Sequence, residues 1–340
     1  MTKIDNARFP GAETLTTALL LAARAPSVHN SQPWRWRVRE PALELFAEPS
    51  LQLPSIDPDG RDLMLSCGAV LNHCVVALAA LGWQAKVHRL PDPAEPDHLA
   101  TIEVYPRAAE QVDVVLAAAI PRRRTDRRRY SCWPVAPADI ALMGVRAARF
   151  GVMLRRVDAM DKLTTTVAQA VFQHSTDYDY LSELTSWSGR YGSSAGVPAH
   201  STPVSDQSAP IPARLFAGPA LAQPPDTSPA DDRAVMLALG TEVDDRLAQL
   251  RAGEATSTVL LTATSLGLAS CPVTEPLEIA ETREMVRADV FGTSGYPQML
   301  LRVGWAPINA DPLPPTPRRD LAGFVDWAIA AGRMAGAAAG

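Results

Sequence analysis

The sequence lacks the short motifs by which many catalytic and binding sites are recognised. No G-x-G-x-x-G segment follows a strand pattern, and no Walker A, H-E-x-x-H or G-x-S-x-G segment occurs in the 340 residues. These absences give no support to a Rossmann domain, a P-loop NTPase, a zinc protease or an α/β-hydrolase. The four cysteines form no C-x-x-C pair or zinc-like spacing. We therefore expect neither a disulfide framework nor a metal site, and a reducing cytosol fits best.

Basic charge and long apolar runs are also scarce. The net charge of −5 predicts no general attraction to nucleic acid or to an anionic membrane. Residues 63–81 form the longest apolar segment, but Ser66, Asn72 and His73 interrupt it. This pattern predicts a buried core helix rather than a membrane span. Residues 1–10 show no basic region followed by an apolar one, so no signal peptide is expected and a cytoplasmic location is predicted.

The patterns that are present predict an α+β fold. Residues 13–105 read as a helix, two strands, a long helix and two further strands. After them we expect helices at 112–120, 137–149, 159–171, 232–252, 255–266, 276–288 and from about 320, and strands at 152–157, 271–274 and 298–303. Two helices that end in Leu-Gly, at residues 78–83 and 263–268, suggest two related halves. We place these halves at residues 1–108 and 109–340, with a proline- and serine-rich insertion at about 190–230 that is a lid, a linker or disorder.

A polar turn follows the first helix. Residues 25–34 read Ala-Pro-Ser-Val-His-Asn-Ser-Gln-Pro-Trp. Pro26 favours the end of the helix, and the Pro33-Trp34 step leads into a strand. Short hydrogen-bonding side chains and free backbone donors can hold a planar heteroaromatic ligand and its sugar hydroxyls. A solvated connection between helix and strand would produce the same pattern.

Six arginines occur within residues 122–129, where only Thr125 and Asp126 interrupt them. Guanidinium groups bind phosphate through paired hydrogen bonds, and a threonine hydroxyl adds a donor. A solvated charged face, a nucleic-acid patch and pairing with carboxylates of the same chain are the alternatives. Because the rest of the protein is acidic, nucleic-acid binding is the least favoured of these interpretations.

Two later segments contribute further signals. Residues 266–273 read Leu-Gly-Leu-Ala-Ser-Cys-Pro-Val, which also suits a helix end that leads into a core strand. Residues 314–321 combine prolines with the pair Arg318-Arg319. Without a ligand, these two arginines would begin an exposed helix, where the helix dipole disfavours them unless an anion is bound.

Taken together, these four segments resemble the nitroreductase family, and most closely its Acg-like members. That resemblance implies a nitroreductase-like fold in which two fused halves mimic a nitroreductase homodimer. It also implies bound FMN and a transient NAD(P)H hydride donor, with a nitroaromatic, a quinone or a similar compound as the acceptor. Because flavin hydride chemistry needs no side-chain nucleophile, His29 and Cys271 are assigned to packing or flavin contact, and no catalytic side chain is named.

The resemblance also implies which residues hold the cofactor. The polar turn would contribute Ser27, Val28, His29, Asn30, Ser31 and Gln32. The segment Arg123-Arg124-Thr125-Asp126-Arg127 matches the family's phosphate motif through Arg123, Thr125 and Arg127, although the aromatic residue that follows, Tyr130, comes one place late. Pro272 and Val273 would run beside the flavin ring, where a backbone N–H reaches flavin N5. The arm that carries Thr316, Arg318 and Arg319 would return to the phosphate.

The four segments are divided unequally between the halves. The second half has no Asn-x-Gln-Pro-Trp, and the first has no Arg-x-Thr-x-Arg. We therefore expect one composite FMN site and, because the dimer is fused, a monomer, with a dimer as the alternative. The expected activity is that of an FMN-dependent NAD(P)H oxidoreductase without nucleic-acid or membrane partners. The alternative is an FMN-binding or storage protein whose site is covered by the insertion and by the aromatic residues of 187–191.

Overall fold

The computed structural model describes residues 9–204, 209, 211–224, 228, 232–307 and 309–327. They form two sheets packed on helices, which is the predicted α+β architecture. The elements of the first sheet and its helices are α1 (Ala12–Ala22), β1 (Trp34–Arg39), β2 (Ala42–Ala47), α2 (Arg61–Ala80), β3 (Trp83–Arg89), β4 (His98–Pro106) and α3 (Gln111–Ala119). Alternate residues of β1 are buried, as expected for a strand with one face on the core.

The rest of the chain builds the second sheet and a cover of helices. Its elements are α4 (Pro137–Ala148), β5 (Met153–Arg156), α5 (Met160–Thr176), α6 (Tyr178–Trp187), β6 (Val235–Thr241), α7 (Arg246–Ser265), β7 (Ala269–Pro272), α8 (Glu275–Glu278), α9 (Ala280–Val286), a π-helical turn (Arg287–Phe291), β8 (Tyr296–Gly304) and β9 (Val325–Trp327). The first sheet has the order β3-β4-β2-β1-β9 and the second β5-β6-β8-β7. Counted from its edge strand β7, the second sheet has the order β7-β8-β6-β5. This order corresponds to β3-β4-β2-β1 of the first sheet.

The two halves meet where α2 crosses α7. Each helix has 20 residues, and each carries a glycine at its eighth position, Gly68 and Gly253. A Cβ on Gly68 would lie 2.0 Å from the Leu250 carbonyl oxygen, and one on Gly253 would lie 2.1 Å from that of Leu65. Only glycine permits backbones to approach so closely. The constant offset of 185 residues extends to Gly82 and Gly267, which end the helices with φ of 89° and 86°, so the internal repeat is a structural one.

Elements also cross between the halves. The last described strand, β9, pairs in parallel with β1, so the C-terminal arm completes the first sheet. Leu116, Ala119 and Ile120 pack into the hydrophobic cluster of that same sheet. Elements that follow residue 108 in the chain therefore pack on the first sheet. The division of the chain at residue 108 stays a prediction. α2 is long and apolar enough to cross a membrane, but 78% of its apolar 18-residue window is buried inside the protein, where α2 is the core helix that the sequence predicted.

The structure differs from the predicted secondary structure in three places. Residues 232–252 and 255–266 were expected to be two helices, but they contain strand β6 and the single helix α7. All seven residues of β6 are buried, and periodicity cannot separate a strand buried on both faces from a helix. The helix expected from about 320 is instead a 3-10 turn followed by β9; its part beyond 327 lies outside the described residues. The helix α6 was not predicted at all.

Candidate functional site: a cavity between the halves

A cavity of about 270 Å³ lies between the two halves. The first half contributes the polar turn and the start of α2, and the second contributes the arginine segment, the sheet and the proline-rich insertion. Seven of the predicted site residues line it, namely Ser27, Val28, His29, Thr125, Arg127, Pro272 and Val273. Its position between the halves is that of the predicted composite site.

The polar turn is held in an uncommon backbone conformation. His29, Asn30 and Gln32 have φ values of 43°, 56° and 54°, in the left-handed region that L-residues rarely adopt. The Val28 N–H donates to Ser66 Oγ on α2 at 3.0 Å, and the Gln32 N–H donates to Ser27 Oγ at 3.0 Å. Strained backbone of this kind persists where surrounding contacts hold it and is concentrated at functional sites.

The amide side chains of the turn bind other parts of the chain rather than the cavity. Asn30 Nδ2 donates to the Gly196 carbonyl at 3.1 Å and to that of Pro317 at 3.2 Å. Gln32 Nε2 donates to the Ser194 carbonyl at 2.9 Å. Both residues therefore join the turn to the insertion and the C-terminal arm. Ser31 Oγ is buried without a hydrogen-bond partner in the described part of the protein.

The arginine segment points inward. Only Arg122 of its six arginines is exposed. Arg123 is buried, and its Nε and Nη1 have no acceptor among the described residues. Burial, and then the charges of Arg124 and Arg24, lower the pKa of Arg123 to about 10.

Arg318 of the C-terminal arm belongs to the same group. Burial, and then the charges of Arg123, Arg24 and Arg124, lower the pKa of Arg318 to about 9. We call Arg24, Arg123, Arg124 and Arg318 the basic cluster. Among the described residues, no carboxylate raises the pKa of Arg123 or Arg318, so the basic cluster has the properties of a site for a multiply charged anion.

The other residues of the arginine motif face different surroundings. Thr125 and Arg127 line the cavity, and the Arg127 guanidinium lies 4.9 Å from the centre of the Phe216 ring. Arg128 is paired with Asp126, with Nη2 2.8 Å from Oδ2. The motif is therefore divided: Arg123 joins the basic cluster, whereas Thr125 and Arg127 border the cavity. Tyr130 is fully buried and donates its hydroxyl to the Asp126 carbonyl.

Pro272 and Val273 lie in the cavity wall as predicted, but neither has a free backbone N–H. Proline has none, and the Val273 N–H donates to the Leu300 carbonyl at 2.8 Å. The first backbone N–H beyond them is that of Thr274, which also lines the cavity. A backbone donor for a flavin ring would therefore come from Thr274 rather than from the two predicted residues.

The C-terminal arm fastens the polar turn from outside. Arg318 donates from Nε to the Ala23 carbonyl and from Nη2 to those of Arg24 and Ala25, at the end of α1. The Arg319 N–H donates to Gln32 Oε1 at 2.9 Å. Thr316 provides only its carbonyl, to Arg318 Nη1 at 3.2 Å. Arg318 therefore both caps the helix and extends the basic cluster.

The insertion covers the cavity through Arg214 and Phe216, which the sequence analysis did not identify. Arg214 Nη1 donates to His29 Nε2 at 3.0 Å and to the Tyr180 hydroxyl at 2.7 Å, while Nη2 lies 2.5 Å from a carboxylate oxygen of Glu278. Burial alone would lower the pKa of Arg214, but the nearby acids outweigh it and raise the pKa. Burial, together with Arg214 and Arg127, lowers the pKa of His29 well below its usual value.

The equivalent position in the other half is filled. At the 185-residue offset, the cavity residues Ala69 and Thr274 correspond to Glu254 and Arg89. Glu254 is almost fully buried and binds Arg89 through two hydrogen bonds, of 2.6 and 2.8 Å. The equivalent of the small side chain beside the cavity is thus a buried glutamate that is engaged in an ion pair.

Other residues also went unrecognised in the sequence. Asp62 and Ser66 on α2 line the cavity, as do Glu275, Met299 and Arg302. Asp62 and Ser66 interrupt an otherwise apolar helix, and this was the available signal. Arg214 and Phe216 had no comparable signal, because they lie in a proline-rich segment without periodicity.

Comparisons with known proteins agree with the motifs. A model of the nitroreductase family matches residues 108–305. The protein named "Putative NAD(P)H nitroreductase Rv3131" from Mycobacterium tuberculosis (strain ATCC 25618 / H37Rv) is 70% identical over 322 residues, which are 95% of this chain and 94% of that protein. The relative named with the same activity and the designation acg, from the same strain, is 37% identical over 323 residues, covering 91% and 94%.

Solved nitroreductase structures resemble the chain more distantly. The FMN- and NADPH-dependent nitroreductase NfnB from sphigopyxis sp. strain HMH has 19% identity and a TM-score of 0.39, and the match covers 62% of this chain and 98% of that one. A nitroreductase with bound FMN from Bacteroides fragilis NCTC 9343 has 15% identity and a TM-score of 0.38, with 58% and 90% covered. The family match and the curated relatives confirm the resemblance, including its Acg-like form. The chain belongs to the nitroreductase family.

Proposed function

We propose that the chain binds one FMN in the cavity and acts as an NAD(P)H-dependent oxidoreductase. The observation that carries this proposal is Arg123, whose buried Nε and Nη1 have no acceptor among the described residues and which lies two residues before Thr125 of the cavity wall. A phosphate would satisfy these donors and offset the mutual repulsion of the arginines. The relatives' name supports NAD(P)H as the hydride donor. The filled counterpart at Arg89 and Glu254 supports one site per chain.

The residues present suit the two ends of this cofactor. The basic cluster would hold the phosphate, while Thr125 and Arg127 would offer donors to the polar edge of the flavin ring. Thr274 would supply the backbone N–H that Pro272 and Val273 lack. When bound, FMN accepts hydride from NAD(P)H and passes electrons to an acceptor such as a nitroaromatic or a quinone. The surrounding protein binds and orients the reactants and excludes water.

A storage function is the second candidate, because the insertion is tied closely to the site. Its residues 194 and 196 accept hydrogen bonds from Gln32 and Asn30, and Arg214 binds His29. A cover held by so many contacts would admit FMN slowly and exclude acceptors. Replacing Phe216 with Ala would discriminate the two, since it widens the cavity without removing a charge. If the insertion suppresses turnover, the F216A protein should reduce acceptors faster than the wild type.

The decisive experiment is an absorbance titration with FMN followed by anaerobic NADPH. One equivalent of bound flavin that bleaches with NADPH and recovers with a quinone supports the oxidoreductase. Flavin that bleaches with dithionite but not with NADPH supports storage. Failure to bind FMN would overturn both functions.

We also propose a monomer in the cytoplasm without nucleic-acid or membrane partners. The inward direction of the arginine segment supports this, since only Arg122 is exposed for contact with a polyanion. Duplex DNA should show no salt-dependent binding near physiological ionic strength. Sedimentation over a range of protein concentrations tests the monomer.

A further inference from the structure

Two aspartates stand at the start of α2, and their hydrogen bonding differs completely. The Asp57 carboxylate accepts the Asp62 N–H on Oδ1 at 2.9 Å and the Leu63 N–H on Oδ2 at 2.7 Å. The Asp62 residue is 4% exposed and lies in the cavity wall. Neither of its carboxylate oxygens accepts a hydrogen bond from the described residues. Arg61 Nη2 is 3.1 Å from Oδ1, but the alignment is not that of a hydrogen bond.

This difference determines which of the two acids holds a proton. Burial raises the pKa of Asp62, and burial together with Asp62 raises that of Asp57 to about 7. Among the other charged groups, Glu278 on α8 raises the pKa of Asp62. The arginines Arg61 on the same helix, Arg214 in the insertion and Arg283 on α9 lower it. A carboxylate that accepts two backbone N–H groups is stabilised in its charged form. Of the two carboxyl groups, Asp62 is therefore the one whose surroundings favour the protonated form, because its oxygens accept no hydrogen bond from the described residues.

The fold itself does not require an acid at this position. At the 185-residue offset, the counterpart of Asp62 on α7 is Leu247. The two helices are otherwise matched in length, glycine position and C-terminal cap. A buried carboxyl without hydrogen-bond donors destabilises a protein relative to an apolar residue. On α2 the acid lies in the cavity wall, whereas its counterpart Leu247 on α7 does not line the cavity, so a role in the cavity is the more economical explanation.

We propose that Asp62 is a catalytic acid that donates a proton to the oxygen of an acceptor, a nitro group or a quinone carbonyl, bound in the cavity. This role rests on the proposed oxidoreductase function. The Asp62 O–H bond breaks and an O–H bond forms on the acceptor, while hydride supplies two electrons and the other hydrogen. One hydride and one proton convert a quinone to a hydroquinone, or a nitro group to a nitroso group and water. Water then reprotonates the Asp62 carboxylate.

The first test detects the proton without any turnover. Infrared spectra of the FMN-loaded protein at pH 6 should contain a protonated-carboxyl band that shifts in D₂O and disappears in the D62N variant. The matched control is D113N, because Asp113 is paired with Arg107 and accepts the Glu110 N–H. That variant should keep the band. A spectrum unchanged by D62N would show that Asp62 is ionised and would overturn the proposal.

The second test separates a proton donor from a structural residue. Reduced protein would be mixed with 1,4-benzoquinone, which needs a proton, or with ferricyanide, which takes electrons alone. In D62N the benzoquinone rate should fall at least about a hundredfold at pH 7, as for loss of a general acid, while the ferricyanide rate is unchanged. Equal loss with both acceptors would assign Asp62 a structural role, and no loss with either would also overturn the proposal.

A second variant guards against misfolding. D62L introduces the residue found at the equivalent position of α7, so it should fold and bind FMN. It should show the same selective loss with benzoquinone. Wild-type protein that binds FMN but reduces no quinone would overturn the proposed function itself, together with the catalytic role. Normal wild-type turnover that D62N and D62L retain would overturn the acid alone.

Discussion

The crossing of α2 and α7 leads to a quantitative prediction about stability. In G68A the new Cβ would lie 2.0 Å from the Leu250 carbonyl oxygen, against an ordinary contact of at least 3.4 Å. The helices would have to separate by 3.4 − 2.0 = 1.4 Å at the crossing. A gap of this size removes much of the dispersion energy between the facing side chains. No rotamer change relieves the contact, because both partners are backbone.

The expected loss in unfolding free energy can be estimated from these terms. Overpacking of a core typically costs about 1–3 kcal/mol and occasionally more, and a contact between two backbones should exceed that range, at about 4 kcal/mol. Replacing glycine by alanine inside a helix returns about 1 kcal/mol. The net destabilisation should therefore be about 3 kcal/mol, and the midpoint of thermal unfolding should fall by about 4 °C for a chain of this size.

Urea titration and calorimetry of G68A, with G144A as the control, measure this effect. Gly144 is also helical, but its added Cβ would meet nothing nearer than Leu154 Cβ at 4.0 Å. G144A should thus gain about 0.5–1 kcal/mol. G253A should lose about as much as G68A, and the double variant less than the sum, since both act on one crossing. If G68A proves as stable as G144A, the close approach of the two helices is refuted.

Three further predictions concern charge. R123M should lower FMN affinity about a hundredfold, by the loss of charge-assisted hydrogen bonds, and leave riboflavin affinity unchanged. The control R122M, which removes an exposed arginine, should change neither affinity. Equal loss of affinity for both ligands in R123M would argue against a phosphate site. The lowered pKa of His29 means that only the unfolded chain takes up a proton as the pH falls below about 6.5, so stability is present above that pH and is lost below it by about 1.4 kcal/mol per pH unit. H29N, whose residue tolerates the left-handed backbone, should show a shallower loss between pH 6 and 5 in urea titrations, and an unchanged slope would contradict a neutral buried His29. E254A should lose about 3 kcal/mol of unfolding free energy because Arg89 is left unpaired, and the double variant R89L/E254L should recover most of this loss. An E254A protein as stable as the wild type would contradict the buried ion pair between Arg89 and Glu254.

Elements with local signals were predictable from the sequence. Alternation identified β1, and the Leu-Gly end of α2 was read correctly because glycine is required there at positive φ. The strand β6 could not be recognised, since it is buried on both faces and its partners lie far away in the chain. The same holds for β9, which pairs with β1 about 290 residues earlier.

The site divides in the same way. The resemblance of short motifs to the family pointed to Ser27, Thr125 and Arg127, which line the cavity, because adjacent residues carry both the chemistry and the local geometry. The roles of Arg214 and Asp62 depend instead on side chains brought together by folding. Arg214 contacts four partners distributed over three other segments of the chain. No local pattern of residues expresses such a contact.

The fastening of the polar turn by the C-terminal arm has a consequence for biosynthesis. The carbonyls of Ala23, Arg24 and Ala25 are bound by Arg318, and β1 receives its last neighbour from β9. At about 5–20 residues per second, a ribosome needs roughly 15–60 s to make the intervening stretch of close to 300 residues. Throughout that time the polar turn of the nascent chain lacks the hydrogen bonds from Arg318 and Arg319. Truncation before Arg318 should consequently yield a chain that does not retain the cofactor. Only full-length molecules would then bind free flavin.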